Sequence, residues 1–155
     1  MSRVTDIWQG LMYEDLEIGD VFECGAVTVT ESHIVAACGL FGDLAPLHRD
    51  EMSARRAGFP GRIAPGVLTA GLIVGSLALI SRNGVATHLA DNITYKQPVF
   101  ADDTLTIRAI VTSKEPRSRF GLVWYAASAT KQTGESAAEV DILLGHKYGP
   151  VAQGQ

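Results

Sequence analysis

Residues 67–80 read VLTAGLIVGSLALI, a run without one charged side chain. At the roughly 100° per residue of a helix, Val67, Leu68, Leu72, Ile73, Val74, Leu77, Leu79 and Ile80 fall on nearly every side. A helix apolar all round has to be covered all round. Gly71 and Gly75, four apart, share one face and admit close approach of a backbone or a partner. The uncharged stretch reaches back to Ile63, but Pro65 and Gly66 interrupt its start. The continuous part, at about 1.5 Å per residue, spans about 21 Å. That falls short of the roughly 30 Å of bilayer hydrocarbon, so the run reads as the buried helix of a soluble fold and no membrane is expected.

Outward from this helix the period changes. Asn83-Gly84 stops it, and beyond lie three segments that alternate apolar and polar positions. Leu105, Ile107, Ala109 and Val111 form one, Val123, Tyr125, Ala127 and Ala129 the next, and Val140, Ile142 and Leu144 the third. Spacing of two means strands with opposed faces, and residues 92–99 are a fourth candidate. Short connections imply antiparallel pairing. Upstream, residues 13–20 (YEDLEIGD) are a turn-rich lead-in and residues 21–29 a strand. Thr30 is a fitting N-cap, with Glu31 in the first turn. Ile34, Val35 and Cys38 give that helix its apolar face, and Gly39 or Gly42 its end. A short helix over residues 50–57 precedes the loop at 58–66 (GFPGRIAPG). The expectation is an α+β fold, one curved antiparallel sheet wrapped about a long apolar helix.

A length of 155 residues suits about one domain. The expected division is a single domain over 1–155, with an arm at 1–12, a core at 13–147 and a tail at 148–155. Hydrophobic residues at 46% against 19% charged exclude an intrinsically disordered chain. A net charge of −4, with no basic cluster longer than Arg55-Arg56, argues against nucleic acid as a partner. Cys24 and Cys38, without a C-x-x-C, make no disulfide framework, so a reduced cytoplasmic setting is expected. The first ten residues lack the pattern of a secretion signal.

The densest chemistry lies in residues 42–48, GDLAPLH. Pro46 biases Ala45 towards an extended conformation, so Asp43 and His48 do not share a helical face and only a folded-back loop can bring them together. A carboxylate and an imidazole meeting at one water suit proton transfer. The alternative is Asp43 capping the loop and His48 filling a polar niche. A second feature is Ala64-Pro65-Gly66 ahead of the apolar helix. A helix start offers unpaired N–H groups and positive partial charge, and glycine lets a ligand approach them. Such a start can hold a carbonyl oxygen as it gains negative charge, or it can be a plain helix start. His33 reads as a surface or core polar group, His88 and His146 stand alone, and Cys38 is a small packed hydrophobe. His48-x-Asp50 has the spacing of a metal pair, but no further ligands gather, so no metal is expected. Arg49, Arg55, Arg56 and Arg62 either meet a phosphate or form a solvated face.

Residues 39–67, GLFGDLAPLHRDEMSARRAGFPGRIAPGV, resemble the MaoC-like dehydratases, the (R)-specific enoyl-CoA hydratase family. That family's signature is Gly-Asp-x-Asn-Pro-aliphatic-His, then a small residue in a short helix, then a Gly-containing helix start. YEDLEIGD at 13–20, YKQPVF at 95–100 and Asp103-Thr104-Leu105 extend the likeness over about 13–147. The resemblance implies a hotdog fold paired as a homodimer or higher homo-oligomer. It implies reversible, cofactor-free hydration of a trans-2-enoyl thioester, carried on CoA or a carrier protein. Asp43 and His48 match the catalytic pair, and Gly66 the glycine whose N–H binds the thioester oxygen. Pro65, Val67 and Ala45 are expected beside the substrate.

One departure is Ala45, where the family has an Asn thought to help hold the catalytic water. One lost hydrogen bond, roughly 0.5–1.5 kcal/mol net, weakens catalysis about tenfold at most, or the substrate differs. Two alternatives stay open. A hotdog thioesterase commonly places an acid on or near its central helix, and residues 67–80 carry none. A non-catalytic acyl-thioester-binding subunit finds its support in Ala45.

Overall fold

Caps and breakers divide the chain much as its sequence predicts. The structure, a computed structural model, describes residues 10–149. Strand β1 (Val21–Thr28) leads into helix α1 (Glu31–Phe41), with Thr30 as its N-cap. The Thr30 Oγ1 accepts from the His33 N–H at 3.3 Å, and the His33 Nδ1 accepts from the Thr30 N–H at 3.1 Å. His33 thereby fills the role that a Glu or Gln has in a capping box. Two short helices follow, α2 (Pro46–Arg49) and α3 (Glu51–Arg56), and then the long helix α4 (Gly66–Ser81). The remaining strands are β2 (Val85–Tyr95), β3 (Thr104–Pro116), β4 (Gly121–Lys131) and β5 (Ser136–His146).

The five strands form one antiparallel sheet in the order β1-β3-β4-β5-β2. Every second residue of β4 is buried, among them Val123, Tyr125, Ala127 and Ala129. The matching residues of β3 (Leu105, Ile107, Ala109, Val111) and β5 (Val140, Ile142, Leu144) join them. Helix α4 packs against all five strands, with Ile73 at 0% and Leu77 at 2% exposure. This is the hotdog architecture, an α+β fold as expected.

Helix α4 is not covered on every side within this chain. Val67 remains 38% and Leu79 63% exposed, and among the described residues a Cβ added at Gly71 or Gly75 meets nothing within 4 Å beyond the helix's own backbone. One sheet layer shields one side of a helix and leaves the other open. A 3₁₀ turn (Arg82–Gly84) also extends the helical run to Gly66–Gly84, 19 residues with a mean hydropathy of 1.4. By length and composition that run could cross a membrane, so the length argument from sequence does not hold. Its packing against the sheet defines its place.

Strand β2 begins seven residues earlier than the predicted 92–99 and stops at Tyr95. It is an edge strand with register shifts between Val85 and Thr87 and between His88 and Ala90. Most of its residues are exposed on both faces, which erases the alternation that marks a strand. It ends where the N–H groups of Lys96 and Gln97 both turn to the Ala137 carbonyl, just before Pro98. The other edge, β1, carries a bulge between Glu23 and Ala26, with Gly25 at φ 88°. His88, expected to stand alone, pairs with Asp91 at 2.8 Å.

Two buried polar clusters fasten the fold. The Lys131 ammonium lies 2.7 Å from the Asp103 carboxylate, with both side chains largely buried. Burial alone would raise the Asp103 pKa. Hydrogen bonds from Lys131, the Phe100 N–H and Gln132, together with the Lys131 charge, outweigh it and hold the carboxyl below its ordinary value. These contacts shape the turn in which Asp102 takes φ 72°.

The second cluster is at the far end of α4. His146, also expected to stand alone, is fully buried. Its Nδ1–H donates to the Leu11 carbonyl at 3.2 Å, and its Nε2 accepts from the Tyr125 hydroxyl at 2.8 Å. Residues 10–12, predicted as part of a loose arm, are therefore tied down; residues 1–9 and 150–155 lie outside the described residues. Lys114 adds to the tie by donating to the carbonyls of Tyr13 and Leu16.

Burial, and secondarily the nearby Lys114 charge, depress the His146 pKa below 6.5 against a smaller upward pull from the Leu11 hydrogen bond. The unfolded chain then binds the proton before the native one does, so stability is full above pH 6.5 and is lost as pH falls below it. Urea midpoints measured from about pH 7.5 down to about pH 5 are expected to decline. In His146→Gln that slope should flatten, and an equal slope would contradict the assignment.

Candidate active site

Helix α1 ends at Gly42, whose left-handed backbone (φ 68°, ψ 18°) turns the chain and delivers Asp43. Ala45 takes φ −56° and ψ 138°, the extended conformation that Pro46 imposes. The Ala45 N–H points at the Asp43 Oδ1 from 3.5 Å. Pro46 then opens α2, as proline favours the first helical position. His48 stands on this one-turn helix, where the sequence reading expected only loop. The turn swings its imidazole back, so that Nε2 lies 3.5 Å from the Asp43 Oδ2.

The other ring nitrogen sets the chemistry. His48 Nδ1 lies 2.8 Å from the carbonyl oxygen of Ile63. A carbonyl can only accept, so Nδ1 carries the proton in the neutral ring and Nε2 presents its lone pair. Ile63 is itself fixed. Its N–H donates to the Leu47 carbonyl at 3.1 Å, it bridges to Phe100, and the next N–H, of Ala64, donates to Val99 at 2.7 Å. The imidazole is 11% exposed and the carboxylate 39%, so the pair faces both protein and solvent.

Pro65 (φ −55°, ψ 138°) precedes α4, and Gly66 is its first residue. No side chain caps this end, and N–H groups of a first turn have no intrahelical acceptor. Gly66 and His48 share the wall of a cavity of about 270 Å³ with Ile63, Thr69, Tyr95 and Val99. Asp43 is not on that wall; it stands 3.5 Å behind the His48 Nε2. Ala45, Pro65 and Val67 neighbour the cavity in the chain but are not on its wall.

Three of the four arginines considered for a phosphate are held by acids. Arg55 pairs with Glu51 at 2.9 Å, Arg56 reaches Ser53 at 2.8 Å and Asp50 at 3.8 Å, and Arg62 bridges Glu31 and Glu51. They tie α1, α3 and the loop before α4 together. Thr69 and Tyr95 were not singled out as site residues from sequence. Tyr95 closes β2 just before the Lys-Gln-Pro turn, a strand end beside a glycine helix start, and that is the signal that marks it. The Ile63 carbonyl carries no side-chain signal at all.

Residues 15–132 match the family model described as a MaoC like domain. The chain is 33% identical over 108 residues to the (R)-specific enoyl-CoA hydratase of Rhodospirillum rubrum, covering 70% of this chain and 74% of that one. It is 31% identical over 109 residues to the 3-hydroxybutyryl-CoA dehydratase of Methylorubrum extorquens, covering 70% of this chain and 69% of that one. The crystal structure of a MaoC-like dehydratase from Rhodospirillum rubrum superposes with a TM-score of 0.80 at 27% identity, over 92% of this chain and 100% of that one.

The tautomer at His48 is open to direct measurement. Nitrogen-15 spectra of the neutral ring are expected to show a pyrrole-type Nδ1 and a pyridine-type Nε2. The reverse assignment would contradict the bond to Ile63.

Proposed function

The chain belongs to the MaoC-like domain family, and on that premise we propose that it adds water reversibly to a trans-2-enoyl thioester, giving an (R)-3-hydroxyacyl thioester. The observation that carries this reading is the approach of the His48 Nε2 to the Asp43 Oδ2 at 3.5 Å, beside a helix start that presents the Gly66 N–H. The relatives named as a hydratase and a dehydratase support it from sequence.

The mechanism follows from which atoms are free. Because Nδ1 is bound to Ile63, only Nε2 of His48 can exchange a proton with substrate. In the reactive state the pair holds one proton, on Nε2. A water seated against Asp43 gives its proton to the carboxylate as its oxygen bonds to C3. Electrons shift onto the thioester oxygen, which the Gly66 N–H stabilises. His48 Nε2–H then protonates C2 on the same face. The proton on Asp43 returns to Nε2 across the short gap, and the site is reset. Alignment of a bound water replaces a bimolecular encounter. Ala45 leaves that water without the side-chain amide of the family signature. The water is therefore held by Asp43 and His48, with the backbone helping to orient Asp43.

The open side of α4 and the edge strand β2 support pairing of two copies. Val67, Leu79, Gly71 and Gly75 give a continuous apolar strip with room for a close neighbour. A reducing cytoplasmic setting suits a chain whose two cysteines are both free thiols.

Incubation with crotonyl-CoA and longer enoyl thioesters is expected to consume the enoyl absorbance without releasing thiol. Asp43→Asn and His48→Gln should each lower kcat by about 100-fold or more. Thiol release would mean hydrolysis instead, and binding without turnover would mean a carrier subunit. In sedimentation at micromolar concentration the chain should run as a dimer or larger, and Leu79→Glu should shift it towards monomer. A wild-type monomer would refute the pairing.

A further inference from the structure

Among the described residues, Tyr95 is the one phenol on the wall of the cavity shared by His48 and Gly66. Its ring lies against the start of α4. A Cβ placed on Gly66 would meet Tyr95 Cζ at 3.0 Å and Oη at 3.2 Å. On a helix that Cβ position leans towards the N-terminus, the same side to which the free first-turn N–H groups point. The Gly66 nitrogen lies about 2.5 Å from the same position by standard geometry. The amide nitrogen and the phenol oxygen are therefore no more than about 5.7 Å apart, and two hydrogen bonds of about 2.9 Å meeting at one acceptor span that distance. Among the described residues the Tyr95 hydroxyl has no hydrogen-bond partner. Although Tyr95 is 51% exposed, its partial burial raises its pKa above 10.0, so at neutral pH it is a protonated donor.

We propose that the Tyr95 hydroxyl is a second donor to the thioester oxygen, acting with the Gly66 N–H on the charge that develops as water adds. This rests on the hydratase reading and deepens it. A glycine at position 66 has a physical reason beyond access: any side chain would push the phenol off the shared acceptor. The gain is specific to the enolate-like state, because a carbonyl oxygen in the ground state carries little charge to reward a second donor.

The test is Tyr95→Phe, which keeps the ring and removes only the oxygen, with folding checked by thermal unfolding. Hydration of crotonyl-CoA is expected to lose about 10- to 100-fold in kcat with KM changed less than about twofold. A second measurement needs no turnover. Acetoacetyl-CoA forms an enolate whose absorbance can be titrated on the protein. The wild type should lower the pH at which the bound ligand ionises, and Tyr95→Phe should raise it again by about one unit. Equal kcat, or equal ionisation of acetoacetyl-CoA in both proteins, overturns the donor role. If the wild type hydrates no enoyl thioester, the hydratase reading fails by itself, and the acetoacetyl-CoA titration alone then decides Tyr95.

Discussion

The structure depends on hiding a helix that has no polar side. Helix α4 brings so many apolar groups that only a surface bending around it can shield them, and five antiparallel strands supply one. At about 25 cal/mol for each Å² removed from water, burial of its inward residues is the main term holding sheet and helix together. The sheet is a single layer, however, so it serves half of the helix. The glycines of the uncovered half leave open space on that side.

The same helix positions the chemistry. Its amino end points into the gap between β2 and the loop after it, and Gly66 stands there because the preceding proline starts the turn. His48 reaches this place from the other direction. Its orientation is not owed to Asp43, which is 3.5 Å away, but to the Ile63 carbonyl at 2.8 Å. Ile63 is in turn held by α2 and by an isolated bridge to Phe100. A backbone atom supported from two sides thus fixes which nitrogen of the His48 imidazole is available. That leaves the carboxylate free to turn towards a water.

Much of this was legible in the sequence for identifiable reasons. The period-two segments at 105–111, 123–129 and 140–144 became buried strand faces, because a sheet with one wet and one dry side demands that alternation. Gly42 and Thr30 marked helix ends through backbone and cap chemistry that does not need tertiary context. Strand β2 was half missed. An edge strand with two register shifts has no dry face to impose a pattern, and Asp91-Asn92 in its middle argues against a strand. The short helix bearing His48 was read as loop, since four residues are too few for a helical period to show. His146 looked solitary because Tyr125 and Leu11, its partners, are far off in the chain. Asp43 and His48 were visible as side chains, and Gly66 as a glycine at a helix start. Ile63 was not, since its part is played by an oxygen every residue has.

The two borders of the sheet are unlike. Along β1 the bulge at Glu23 to Ala26, opened by a left-handed glycine, bends the backbone and sets an acid beside it. Residues 91–95 at the opposite border run in unbroken register. Head-to-tail stacking, in which one molecule's β1 would join the next molecule's β2, meets a misfit at every step. β2 is itself irregular between Val85 and Ala90, so only its 91–95 end offers a regular border to a second copy. The bulge near Gly25 interrupts the row of backbone donors and acceptors along β1, the kind of irregularity that disfavours edge-to-edge pairing at that border.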